Sequence, residues 1–303
     1  MNKFTKLGLL TLLLATVVFS SCKKDYDTAQ TVDDAAIKAY ISKNNLTQMV
    51  PDSAKTGFYY QVTNPTDGEL FLNTDSVLYD VTVKSMTNGT TYLQSPSNGN
   101  LGTYVGYLNS FYQGSLSTST YNIPALRTAV LKLKPGGTAR ILLPSYLAFG
   151  RNGVGPIPSN ENLDFIIKTY PYHKQWLFDD AKIQSFLAAK NLTATKDPSR
   201  VYYITNTVGT GTDAISDEST VVYKYTGRFL DGTVFDSSTD GTFSATFASI
   251  YVQGWKNIVR KYTAGAKFRM IIPSDLAYKT SGSNAIPPNA ILDFDIEIVS
   301  VTN

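Results

Sequence analysis

The stretch Val222-Tyr-Lys-Tyr-Thr-Gly-Arg-Phe-Leu-Asp-Gly-Thr-Val-Phe-Asp-Ser-Ser238 decides how this chain folds. A strand-like alternation runs into Tyr225-Thr226-Gly227. Asp231-Gly232 is a pair that tight hairpins favour, because glycine reaches positive φ without a Cβ clash. Phe235-Asp236-Ser237-Ser238 then returns as the second strand of the hairpin.

Further short motifs follow in order: Gln253-Gly254-Trp255, Ile272-Pro273, Leu276-Ala277-Tyr278, Ile286-Pro287-Pro288 and Leu292-Asp293-Phe294. None is specific alone. Together, over the last hundred or so residues, they resemble the FKBP-type peptidyl-prolyl cis-trans isomerases.

At the other end, Lys3 and Lys6 precede an apolar run from Leu7 to Phe19 that closes on Ser20-Ser21-Cys22. A membrane span needs about 20 apolar residues, so this shorter run reads as the core of a signal peptide over residues 1–21. Small residues before a cysteine resemble the cleavage and lipidation site of bacterial lipoproteins, with Phe19 where leucine is usual. Cys22 is the chain's single cysteine, which rules out an internal disulfide and makes Cys22 the expected lipid anchor. Residues 22–32 read as a polar tether. The expected location is the cell envelope, at the outer membrane.

Charge excludes another class. The 303 residues carry 27 basic and 24 acidic groups. Losing Lys3 and Lys6 with the leader leaves 25 against 24, a net charge of +1. So even a balance gives no electrostatic footprint for nucleic acid. A monomer is expected.

An internal repeat sets the domain count at two. Asp33-Asp34-Ala-Ala-Ile37-Lys-Ala-Tyr40-Ile41 through Asn45-Leu46 returns 146 residues later as Asp179-Asp180-Ala-Lys-Ile183-Gln-Ser-Phe186-Leu187 through Asn191-Leu192. Apolar positions at i, i+3 and i+4 predict a short amphipathic helix, with the aspartates as its N-cap and its aromatic stripe packed on the neighbouring domain. After each helix come Phe58-Tyr59-Tyr60 or Val201-Tyr202-Tyr203, then strands over Val77–Val83 or Val221–Tyr225. In the second copy an inner helix is expected over Gly254–Tyr262, with strands over Phe268–Ile272 and Leu292–Val301. In that last strand Asp293, Asp295 and Glu297 face away from Phe294, Ile296 and Ile298. Such a sheet buries one face on one helix, an α+β design. The domains expected are 33–172 and 179–303, joined near Tyr170-Pro171-Tyr172. The resemblance implies two tandem FKBP-like domains, each an antiparallel sheet curled around a short α-helix and each preceded by a short amphipathic helix.

The resemblance also implies a pocket between helix and sheet in the second domain. Trp255 would be its floor. Tyr225, Phe235, Phe243, Val252, Ile286 and Phe294 would line it, with Phe247 the alternative at the place of Phe243. The Tyr278 hydroxyl and the Val252 backbone N–H would bind substrate carbonyls, and Asp236 would be the carboxylate at the rim. Two positions depart from the family pattern: Lys279 stands where glycine is usual, and Gly241 leaves Asp236 without its basic partner. The first copy keeps the frame, with Asn88-Gly89, Lys134-Pro-Gly-Gly137, Leu147-Ala-Phe149-Gly150, Ile157-Pro158 and Leu163-Asp-Phe165. At its site Thr82, Leu93, Leu126 and Phe149 stand for Tyr225, Asp236, Trp255 and Tyr278, the look of a retired pocket.

The implied reaction is isomerisation of X-Pro bonds in exported polypeptides, without cofactor or metal. Amide resonance sets a barrier of about 20 kcal/mol, and the twisted transition state is less polar than the planar amide. A dry apolar enclosure favours it, and no nucleophile or general base is needed. His173, the one histidine, falls in the linker, which disfavours histidine triads and multi-histidine zinc sites. Gly209-Thr-Gly211 precedes a strand rather than a helix, so it reads as a turn and not a phosphate loop. Asp27-Thr28-Ala29, Asp52-Ser53-Ala54 and Asp75-Ser76-Val77 resemble the short O-glycosylation motif of Bacteroidetes. Two other functions stay open: a proline-peptide binding module or holdase without turnover, and a structural lipoprotein of the envelope.

Overall fold

A computed structural model describes residues 28–108, 110–111 and 121–303. The leader, Cys22 and most of the expected tether lie outside them. Two units follow one another, both α+β, and every strand pairing among the described residues is antiparallel.

The first unit opens with helix α1 (Ala29–Lys43). Strands β1 (Val50–Pro51), β2 (Tyr59–Asn64), β3 (Ser76–Ser85), β4 (Thr91–Gln94) and β5 (Leu101–Tyr104) follow. After the short ladder of β6 (Ser110–Phe111) and β7 (Tyr121–Asn122) come α2 (Pro124–Val130), β8 (Thr138–Leu143) and β9 (Leu163–Thr169). The sheet runs β1-β2-β8-β9-β3-β4, with β5 also on β3.

The second unit repeats this plan. It contains α3 (Gln175–Ala189), β10 (Thr195–Lys196), β11 (Tyr202–Thr207), β12 (Thr220–Arg228), β13 (Val234–Thr246), α4 (Gln253–Val259), β14 (Lys267–Ile272) and β15 (Leu292–Thr302). Its sheet runs β10-β11-β14-β15-β12-β13. Both sheets bury one face on the short inner helix. Leu126, Ala129 and Val130 pack with Ile141, Phe165 and Ile167 in the first unit. Trp255, Ile258 and Val259 pack with Phe268, Met270 and Phe294 in the second.

The edge strands differ. β13 is a single 13-residue strand that follows β12 along its length and bulges between Ser238 and Phe243. In the first unit the same edge is broken: β4 pairs with Thr82–Lys84, and β5 with Ser76–Tyr79. Pro96 lies in the gap and has no N–H to give a ladder. The freed segment, residues 95–100, becomes a loop.

Several expectations need correction. The repeated helices begin earlier than the aspartates: α1 is capped by the Thr28 side chain, and Lys174 precedes α3. Residues 29–32 are therefore helix, not tether. Asp33 and Asp179 sit one turn inside and point at the turns that follow β8 and β14. Asp33 accepts from the Ser145 N–H at 2.9 Å and hydroxyl at 2.7 Å. Asp179 accepts the same pair from Ser274, at 2.8 and 2.6 Å.

The repeated stretch of each helix packs on its own unit, while the first turn of α3 also meets the first unit through Phe178, whose ring lies 4.2 Å from that of Tyr170. Ile183 and Leu187 meet Tyr202, Ile271 and Ile291, and Ile37 meets Met86 and Leu142. Their aromatic stripe lies over arginines of the same sheet, Tyr40 on Arg140 and Phe186 on Arg269. Asp293, on the polar side of the last strand, is consequently only 1% exposed and is paired with Arg228 and Arg269. A buried carboxylate persists only with such partners. The inner helix ends at Val259, before Tyr262, where the chain turns into Gly265 at φ +86°.

Candidate active site

Strand register places the pocket walls. Gly227 of β12 lies opposite Phe294 on β15 and Asp236 on β13, while Tyr225 lies opposite Ile296 and Ser238. Alternation puts Tyr225 and Gly227 on the face that looks at α4. Gly227 leaves the space: a Cβ there would sit 2.6 Å from the Phe294 ring and 2.7 Å from that of Phe235. Through that gap the Phe235 ring reaches Phe294, edge-on, with centroids 5.6 Å apart.

Trp255, in the first turns of α4, lies beneath. Its ring meets Tyr225 at 5.6 Å and Phe294 at 5.0 Å, both edge to face. The indole N–H is buried on the side of Tyr223, so it does not open into the cavity. What the floor offers is apolar ring surface. Phe243 completes the wall, 5.2 Å from Tyr225. Phe247, the alternative, is fully buried elsewhere in the core.

The result is one cavity of about 540 Å³, a size suited to a small ligand or a short peptide segment. Tyr225, Asp236, Tyr278, Phe235, Phe243, Val252, Trp255, Ile286 and Phe294, the nine residues singled out in the sequence, all line it. Sequence reasoning missed Ala245, Ser249, Ile250, Tyr251 and the loop residues Ser283, Asn284 and Ala285. Ala245 was within reach, since it follows Phe243 by two along one strand. Tyr251 was not. It is 69% exposed and stacks on Tyr278 with ring centroids 5.3 Å apart, a contact between segments far apart in the chain.

Polarity is confined to the rim. The Tyr225 hydroxyl donates to Asp236 at 2.7 Å, so a phenol supplies the partner that no basic residue provides. Burial pushes the Tyr225 phenol well above its ordinary value, and the adjacent Asp236 carboxylate pushes it further. Burial likewise raises Tyr278, with the charge of Asp236 adding to it. Both phenols therefore stay protonated at neutral pH. The Val252 N–H, just before α4, donates to no acceptor among the described residues. Lys279 adopts φ +55°, the left-handed conformation of its counterpart Gly150 at +56°. Non-glycine residues reach it at a cost of about 1–2 kcal/mol. Two bonds hold it there, from the Lys279 N–H to Ser274 O and from the Asn289 N–H to Lys279 O.

In the first unit the same space is filled. Val83 faces Phe165 and Leu93, the register of Gly227, and is fully buried. The residue opposite Ile167, in the place of Tyr225, is therefore Val81 and not Thr82. Val81, Val83, Leu93, Leu126, Phe149, Ile157 and Phe165 all belong to one apolar core.

The family described as FKBP-type peptidyl-prolyl cis-trans isomerase matches residues 72–169 and 211–299, one segment in each unit. The FKBP-type peptidyl-prolyl cis-trans isomerase FkpA of Aeromonas hydrophila is 37% identical over 123 residues, 40% of this chain and 46% of its own. The macrophage infectivity potentiator of Trypanosoma cruzi is 37% identical over 110 residues, 36% of this chain and 56% of its own. The crystal structure of FkpA from Escherichia coli is 30% identical, covers 42% of this chain and 60% of that one, and has a TM-score of 0.38. The chain spans about half the length of the curated relatives it matches.

Proposed function

Because the chain belongs to the FKBP-type peptidyl-prolyl cis-trans isomerase family, we propose that its second unit catalyses cis-trans isomerisation of X-Pro bonds in polypeptides. The observation that carries this reading is an aromatic-walled cavity in which all nine residues meet. A proline ring seated on Trp255, between Phe235, Phe243 and Phe294, leaves water. The Tyr278 hydroxyl and the Val252 N–H donate to the substrate carbonyls and hold the backbone while the amide twists. As C–N double-bond character is lost, the carbonyl gives up charge, and an apolar enclosure favours that species over the planar amide. Each 1.36 kcal/mol of this preference gives about tenfold in rate.

The substrate class we assign is exported polypeptides, met at the cell envelope by a protein tethered through a lipid on Cys22. Supporting this are the leader pattern of residues 1–21 and the serine pair before Cys22. Among the described residues no helix is long and apolar enough to cross a membrane. Replacing Cys22 with Ser should then release the protein from the membrane fraction or leave it unprocessed. We assign the working unit to residues 179–303 and a non-catalytic role to residues 33–172.

Exchange NMR on an Ala-Pro peptide with the full chain tests the activity. Trp255→Ala should abolish turnover, and Leu126→Ala should leave it intact. Binding of the peptide without turnover by the wild type would replace catalysis with a holdase role. A cavity that binds no proline peptide would leave a structural role.

A further inference from the structure

The loop freed by the broken edge of the first unit does not stay in that unit. Asn100, 2% exposed, donates its N–H to Pro288 O at 3.2 Å. Its own carbonyl accepts from the Asn289 side chain at 3.0 Å, in a buried contact. Its side-chain amide exchanges two hydrogen bonds with Gln175, at 2.9 and 3.0 Å. Asn98 reaches Asp231, on the hairpin turn of the second unit, at 2.7 Å. Gly99 lies so close that a Cβ would be 2.3 Å from Pro288 O and 3.1 Å from the Pro287 ring.

The contacts of Gly99 and Asn100 lead to the two arms that complete the cavity, directly or through Gln175. One arm is the segment from Gly282 to Asn289, whose tip places Ser283, Asn284, Ala285 and Ile286 on the rim. Its foot is Pro287-Pro288, two residues with no N–H of their own, so that stretch of the arm can be tied only through its carbonyls and through Asn289. The other arm is the turn from Ser274 to Lys279 that carries Tyr278. Gln175 continues the chain of bonds to Asp179 at 2.7 Å, and Asp179 holds the N–H and hydroxyl of Ser274. The arms are joined by the bond from the Asn289 N–H to Lys279 O, 2.7 Å.

We propose that the first unit is a positioning element for the cavity of the second: its Asn98–Asn100 loop fixes the arms that carry Ile286 and Tyr278, so the pocket is preformed before a peptide arrives. This rests on the catalytic reading for its consequence in turnover, but not for its consequence in loop order. A preformed site spends less of its binding energy on ordering. Loosening the loop should therefore weaken peptide capture more than it slows the bound reaction, and raise KM more than it lowers kcat.

Two substitutions in the full chain test it from opposite sides, and neither touches the cavity lining. Gly99→Val drives a side chain into Pro288 from the first unit. Asn289→Asp keeps the shape and the tolerance of positive φ but sets a carboxylate oxygen against the Asn100 carbonyl. Both should raise amide hydrogen exchange across residues 279–289 by about tenfold or more while β11 and β14 stay protected. Both should raise KM for an Ala-Pro peptide about threefold to tenfold, with kcat within about twofold. Wild-type exchange in residues 279–289 for either variant that retains its fold would overturn the proposal, as would a loss confined to kcat. If the wild type turns over no proline peptide, the catalytic reading falls, and the exchange measurement alone decides whether the loop positions the arms.

Discussion

Tyr225 donates its hydroxyl to Asp236 at 2.7 Å, diagonally across the β12–β13 ladder at the mouth of the cavity. The bond holds a phenol of the wall and the carboxylate of the rim in one arrangement, and it makes no use of a basic residue. With burial and the carboxylate both raising the phenol, Tyr225 keeps its proton through the neutral range. Tyr278 does the same. Turnover should therefore be flat between about pH 6 and pH 9, where a general-base mechanism would give a limb. A pH–rate profile of the full chain checks this.

Deleting hydroxyl and carboxylate should separate chemistry from folding. Tyr278→Phe keeps the ring and removes one hydrogen bond worth about 0.5–1.5 kcal/mol. Turnover should fall about threefold to tenfold with little change in melting temperature. Asp236→Leu copies Leu93 of the first unit and should weaken turnover in a folded protein. Wild-type rates in both variants would remove these residues from the mechanism.

Trp255 belongs to the core as much as to the site, at 5% exposure in the main cluster of the second unit. Trp255→Ala should cost about 3–5 kcal/mol of stability in addition to binding. Urea unfolding of the second unit within the full chain gives the figure.

Gly227→Val transplants the packing of Val83. The added carbons meet the Phe294 and Phe235 rings. Overpacking of this kind costs about 1–3 kcal/mol. Peptide binding should be lost because Phe235 no longer fits beside Phe294. The reverse change, Val83→Gly, should destabilise the first unit and leave peptide binding by the second unaltered.

Acid should test the Lys261–Asp197 pair. Burial pushes the Asp197 carboxyl up, but the Lys261 ammonium and the Ser199 N–H and hydroxyl outweigh it and hold it at about 2, against an ordinary 3.8. Between those values the unfolded chain binds the proton and the native one does not. The stabilisation is therefore complete above that window and is lost as pH falls through it. Asp197→Asn should flatten the stability curve in that window, read by urea midpoints at a series of pH values.

Much of the site could be read from local pattern. The Asp231-Gly232 turn, the alternation through Phe243, and Trp255 at the head of a short helix each depend on neighbours a few residues away. Their convergence follows once the hairpin and helix form. Thr82 was misplaced for the opposite reason. Which of Val81 and Thr82 answers to Tyr225 is settled by pairing with β9, and a shift of one residue moves a side chain to the other face of the sheet.

The sequence by itself determined the duplicated α+β plan, the family and nine of the residues that meet in the second cavity, because these rest on period, turn chemistry and motif order. Tertiary structure decided what the repeated aspartates and the loop after Pro96 do. Asp179 resembles an N-cap in sequence, yet its partner is Ser274, 95 residues away. Asn100 has no local signal at all, and its partner Asn289 is 189 residues away. A polar side chain declares its need for a partner, but only tertiary packing, within a unit for Asp179 and between units for Asn100, determines which partner is within reach.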